Sequence, residues 1–281
     1  MNNNKSIFFI SISAFSFSVM AVFVKLANGI PLFEKLFFRN IITFLFTYLF
    51  LHKDKLHFIN DRKNLKFLIL RSSFGFIGVI FYFYAISNLY LADASVLNKL
   101  SPFFVTFFAV IFLGEKTRKI RYILLIAAFL SSLLIIKPKL DLSVIPALSG
   151  LLSAVFAGAA YTVVRFMHNK EGSTTIVMFF SLFSSIFFAM IMLFNFKVPS
   201  ITNLIYLFGI GLAATGGQMG LTLAYKYSKA SYISIFGYGG IIFSGLLGYF
   251  IWGEIPDLLS IIGIVLIFAI FVIFIMKKEK A

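Results

Sequence analysis

Long apolar runs alternate with short polar, basic connections along the whole chain, and the runs have the length of a bilayer crossing. Ten of them stand near residues 6–24, 36–51, 67–87, 93–113, 121–137, 145–164, 174–194, 204–224, 231–252 and 258–276. About 20 apolar residues in a helix span the hydrocarbon core. The first run, Ser6 to Val24, alternates Phe with Ser as a strand would. A lone strand cannot cross lipid with its backbone groups unpaired, so the run reads as a helix. Lys5 ahead of it also suits a secretory leader, but no small-x-small cleavage site follows, and the run is expected to stay as the first transmembrane helix. The long connection His52 to Lys66 is charged and polar and belongs outside the hydrocarbon.

Two runs echo each other. Leu97 to Glu115 reads LNKLSPFFVTFFAVIFLGE, and Phe236 to Glu254 reads FGYGGIIFSGLLGYFIWGE. A shift of 139 positions, the separation of Glu115 and Glu254, places Ala85 on Ala224, Ser95 on Ser234, Phe104 on Phe243 and Gly114 on Gly253 without a gap. Apolar matches are weak evidence in so apolar a chain; the Gly-Glu pair at equivalent run ends is stronger. Five spans per unit is an odd number, so the second unit would enter the bilayer upside down. The expected fold is therefore an all-α polytopic membrane protein of ten transmembrane helices in two inverted five-helix repeats, 1–140 and 141–281. In such plans the binding site lies between the repeats near the midplane.

Composition agrees with a lipid solvent. Of 281 residues, 60% are hydrophobic and only 12% are charged, with 39 phenylalanines, where a soluble domain carries roughly 25% charged residues. Cysteine is absent, which excludes disulfides and thiolate metal sites. The net charge of +15 raises the question of nucleic acid. Its basic residues instead cluster between apolar runs, which points to membrane topology. Those at Lys53 to Arg71, Lys116 to Arg121 and Lys277 to Lys280 outnumber Lys25, Lys35, Arg39, Lys137, Lys139 and Lys197 on the alternate connections. That excess places both termini in the cytoplasm of a cell whose plasma membrane holds the protein. The expected partners are the bilayer and a small-molecule substrate, with no nucleic acid.

Polar groups inside the runs carry the candidate chemistry. Lys99 lies about six residues into its helix, roughly 9 Å at 1.5 Å per residue. A lysine deep in lipid costs about 2.5–3.5 kcal/mol, so it should face a wet cavity or an anion, or else snorkel to headgroups. Asn98 and Pro102 flank it, and Pro102 frees a backbone carbonyl. Arg39 and Asn40 open the second run, where Arg39 suits either a helix-end anchor or a bidentate carboxylate clamp. Gln218 is a mid-run amide that needs a partner, on a substrate or on another helix. Tyr82, Tyr161 and Tyr238 offer a ring face and a hydroxyl, and Tyr238 falls opposite Lys99 in the repeat. Small residues recur at helical spacing: Gly75, Gly78, Tyr82 and Ala85; Gly209, Ala213, Gly216, Gly220 and Ala224. They let helices approach closely in lipid. No H-E-x-x-H, Walker A loop or G-x-S-x-G is present, and neither a metal nor a cofactor is expected.

Ala85 to Glu115, AISNLYLADASVLNKLSPFFVTFFAVIFLGE, resembles the drug/metabolite transporter superfamily of EamA type, and the resemblance extends over nearly the whole chain. Its partner, Ala224 to Glu254, lacks the proline and has Ile241 in that place. The resemblance implies a secondary carrier with alternating access to a central cavity, and homodimer contacts through the fifth and tenth helices. Lys99 and Arg39 favour an anionic or zwitterionic metabolite such as an amino acid. The aromatic wealth leaves an organic-cation or drug exporter as the alternative. A membrane-embedded enzyme or a channel ranks lower, for want of paired ionisable groups at one depth. No acid stands in mid-run, which favours exchange or facilitated transport over proton coupling.

Overall fold

The computed structural model describes residues 3–53, 59, 61–114, 119–136, 144–167, 170–227 and 239–276. Those residues are helical almost throughout, because lipid leaves helices as the way for a single segment to pair its own backbone. In order they form α1 (Asn3–Leu26), α2 (Leu32–Lys53), α3 (Leu65–Asn88), α4 (Leu91–Asn98), α5 (Ser101–Leu113), α6 (Lys119–Ile136), α7 (Ile145–Met167), α8 (Ser173–Met192), α9 (Ile201–Tyr227), α10 (Gly239–Trp252) and α11 (Leu258–Met276). A 3-10 turn, Arg62–Asn64, precedes α3. Asp61 caps that turn by accepting from the Lys63 N–H at 2.8 Å.

The expectation of ten transmembrane helices is overturned. Among the described residues, six helices are long and apolar enough to cross a membrane: Lys5–Leu26, Arg62–Asn88, Leu91–Phe112, Ile145–Val164, Ser173–Met192 and Ile201–Leu221. The runs at 36–51, 121–137, 231–252 and 258–276 are not among them. α2 begins four residues earlier than expected and so takes in Glu34 and Lys35, which with Arg39 and Asn40 are buried in its first half. Its first half carries these four buried polar side chains, while Leu45, Leu49 and Phe50 of its second half are exposed. α6 has 18 residues and starts on Lys119 and Arg121. Among the described residues, α10 (14 residues) and the apolar stretch Leu258–Ile270 of α11 are shorter than a crossing. With that count goes the expectation of five spanning helices in each of two inverted repeats.

Packing joins early helices to late ones. The most extensive pairings are α1 with α9, α3 with α7 and α2 with α8, followed by α6 with α11, α2 with α9 and α5 with α7, and then α1 with α10. One core gathers Val24, Leu36, Phe83, Phe188 and Leu207 from α1, α2, α3, α8 and α9. A second gathers Leu97, Leu100, Phe103, Ala154 and Ile267 from α4 to α11. Large apolar side chains cover the outside, Phe8, Phe112, Phe194 and Phe250 among them. Such a surface suits lipid and would aggregate in water. Gly114 and Gly253 both end their helices in the left-handed region, at φ +65° and +66°, where glycine carries no Cβ penalty.

Candidate functional site

The expected fourth run is broken. α4 ends at Asn98, Lys99 is its C-cap, and α5 starts at Ser101. Pro102 has no N–H to offer the Asn98 carbonyl, so a continuous helix loses a bond there. The chain instead tightens, with Leu100 N–H donating to the Leu97 carbonyl at 3.2 Å. Lys99 is half-buried. Its Cε lies 3.6 Å from where a side chain on Gly240 of α10 would begin, a point also 3.7 Å from the Ala14 carbonyl of α1. Beside it runs a hydroxyl chain. Ser244 donates to Ser18 Oγ at 3.0 Å, and Ser18 donates to the carbonyls of Ala14 at 3.0 Å and Gly240 at 3.1 Å. On the opposite side, Asn98 donates to Ser153 Oγ of α7 at 3.0 Å. The break therefore sits between α1 and α10 on one side and α7 on the other.

A second polar group lies among α2, α3, α7 and α8. Arg39 and Asn40 are buried, with Arg39 Nη1 donating to Asn40 Oδ1 at 2.8 Å and Asn40 Nδ2 donating to the Leu36 carbonyl at 2.7 Å. Arg71 of α3 is buried beside them. Both guanidinium carbons face the ring of Phe180 on α8, at 5.6 Å for Arg39 and 4.0 Å for Arg71. Tyr161 lies within electrostatic range of both cations and of Tyr82. The sequence reading treated Arg71 as a topology charge and missed it. The signal was present, because Arg71 stands one turn ahead of the Gly75, Gly78 and Tyr82 stripe.

A third group ties helix ends together. Glu254 Oε1 pairs with Lys25 Nζ, and its Oε2 accepts from the Leu91 N–H at 2.9 Å. Lys25 also donates to the Leu89 carbonyl at 3.1 Å and lies over the Trp252 ring at 5.2 Å. Gly253 makes this reach available: its N–H bonds the Tyr249 carbonyl at 2.8 Å, a left-handed cap that turns the chain toward α4. Of the remaining sequence candidates, Gln218 is buried on α9, while Tyr238 and Glu115 lie outside the described residues. Glu34 and Asp93 are buried in the first turns of α2 and α4. Among the described residues no group of three His, Asp or Glu side chains is placed to hold a metal.

The chain resembles known transporters over most of its length. The sequence model of the EamA-like transporter family matches residues 4–137 and again 144–276. The pseudopaline exporter CntI of Pseudomonas aeruginosa is 36% identical over 259 residues, which cover 91% of this chain and 90% of that protein. An uncharacterized transporter of Helicobacter pylori is 24% identical over 262 residues, 89% of this chain and 88% of that one. Human solute carrier family 35 member G1 is 26% identical over 266 residues, covering 89% and 73%. A crystal structure of a protein shares the fold with a TM-score of 0.69 at 14% identity, each chain covered to 97%.

Proposed function

The chain belongs to the EamA-like transporter family and is an integral membrane secondary transporter, and we propose that its cargo is a small anionic or zwitterionic organic metabolite, moved outward across the cytoplasmic membrane. The observation that carries this reading is the position of Lys99: a cationic side chain at a helix break, held between α1 and α10 beside a chain of hydroxyls. A broken helix supplies free backbone polar groups within a bundle, and an ammonium there favours an anionic group. Lys99, Arg39 and Arg71 together would repel an organic cation, which speaks against the alternative cargo. Outward movement is supported by the relatives named as pseudopaline exporters. The twofold match of the family supports two repeated halves, 1–140 and 141–281, around the site. The loop charges support cytoplasmic termini.

Counterflow in proteoliposomes, after a thermal-shift screen of metabolites to choose the labelled solute, tests the reading. Saturable exchange of an acidic or zwitterionic solute is expected. Lys99→Ala should weaken it at least tenfold, the equivalent of about 1.4 kcal/mol, with Lys99→Arg retaining more. Wild-type kinetics in Lys99→Ala would remove Lys99 from the site, and non-saturating leakage would point to a channel.

A further inference from the structure

Resting on the carrier reading above, we propose that Arg39 and Arg71, with Phe180 between them, form a carboxylate-binding subsite for the transported solute. Both arginines are nearly fully buried, with 4% and 5% of their surface exposed. Among the described residues neither has a carboxylate within ion-pairing distance. Arg39 Nε, Arg71 Nε and Arg71 Nη1 lack any hydrogen-bond partner there. Two like charges held out of water without an anion repel each other and forfeit their hydration. The contacts they do make fall short of that loss. One side-chain amide serves Arg39, and a ring face serves each cation only modestly. A planar carboxylate matches what is missing, since a guanidinium presents several N–H donors in one plane.

The surroundings keep room for these two groups. At Gly75, an added Cβ would stand 2.8 Å from the Phe180 ring and 3.1 Å from Arg71 Nη1. Ser184 lies one turn beyond Phe180 on α8, buried, with its hydroxyl unpartnered among the described residues. Arg39, Thr43 and Thr47 recur every fourth residue, and Thr47 lines a cavity of about 40 Å³ with Thr174, Val177, Met219 and Leu223. The cavity lies toward the end of α2 that leads into the His52 to Lys66 connection.

The test uses the purified full-length protein and thermal unfolding in sodium succinate, sodium citrate or sodium L-glutamate, each against sodium chloride at equal ionic strength and against neutral succinamide. At least one carboxylate is expected to raise the wild-type melting temperature, and succinamide is not. Arg71→Met should lose that rise. Without ligand it should melt about 2–4 °C above wild type, because an unpaired buried charge has gone. Arg71→Lys keeps the charge but not the planar donors and should bind at least tenfold more weakly. The subsite is refuted if none of the three carboxylates shifts the wild type, or if Arg71→Met keeps the shift. It is refuted equally if ligand-free Arg71→Met melts below wild type, since Arg71 would then be structural. Failure of the carrier reading looks different: wild-type proteoliposomes would show no saturable counterflow, whatever the arginine variants bind.

Discussion

Glu254→Ala is expected to destabilise the protein by about 3 kcal/mol, the lower end of what breaking a buried ion pair costs. The lower end applies because the Lys25 side chain is 21% exposed while Glu254 is 7% exposed. Among the described residues, alanine would leave the Lys25 ammonium with the Leu89 carbonyl and the Trp252 ring. It would also orphan the Leu91 N–H, one of the unpaired donors at the start of α4. A carboxylate there acts as a cap and answers the positive helix end. In thermal unfolding the loss should read as a fall of about 6–12 °C, at roughly 2–4 °C per kcal/mol. Glu254→Gln keeps the shape and one acceptor and should fall less. The double variant Lys25→Met, Glu254→Leu should recover part of the loss, because no lone charge stays behind. A drop of under about 1 kcal/mol in Glu254→Ala would show that the pair is a solvated contact. Gly248→Ala offers a cross-check, since its Cβ would lie 2.7 Å from Glu254 Oε2 and displace the carboxylate.

What could be read in advance follows from which physics acts locally. Helix was legible nearly everywhere, because long apolar runs admit little else in lipid. The carbonyl freed by Pro102 was legible as well, since proline disrupts the ladder through its own covalent structure, but the fourth run was expected to continue through Lys99. The Gly253-Glu254 pair stood out, but its role did not: the partners Lys25 and Leu91 are more than 160 residues away in sequence. α2 was misjudged because hydropathy scored Arg39 and Asn40 at the edge of a run, whereas packing against α8 and α9 buries them. Arg71 was missed for the opposite reason. Charge counting assigns a basic residue near a helix start to the loop, while burial on α3 takes it inside. The first error is invisible without knowing which helices touch, whereas for Arg71 its place one turn ahead of the Gly75 stripe was a readable sign.

Gly158→Val is expected to destabilise by about 3 kcal/mol or more, at the upper range of overpacking. An added Cβ at Gly158 would lie 2.4 Å from Phe104 Cβ and 3.1 Å from the Phe104 carbonyl carbon and the Val105 nitrogen. Two of these are backbone atoms, so a rotamer change cannot relieve the clash; α5 would have to move off α7. Gly220 presents the same constraint against α1, with the Phe9 carbonyl at 2.8 Å and Ser13 nitrogen at 3.1 Å. Gly245 is the control. Its nearest neighbour is Ala92 Cβ at 3.9 Å, so Gly245→Ala should be tolerated or gain up to about 1 kcal/mol from helix propensity. Chemical denaturation of the three variants in detergent separates the causes. If propensity governed, alanine would stabilise at all three positions and valine would differ from it only slightly. If backbone approach governs, substitutions at Gly158 and Gly220 fail while the one at Gly245 holds. The second pattern is expected, because in lipid the helices are held by closeness of contact where burial of larger apolar side chains gains little.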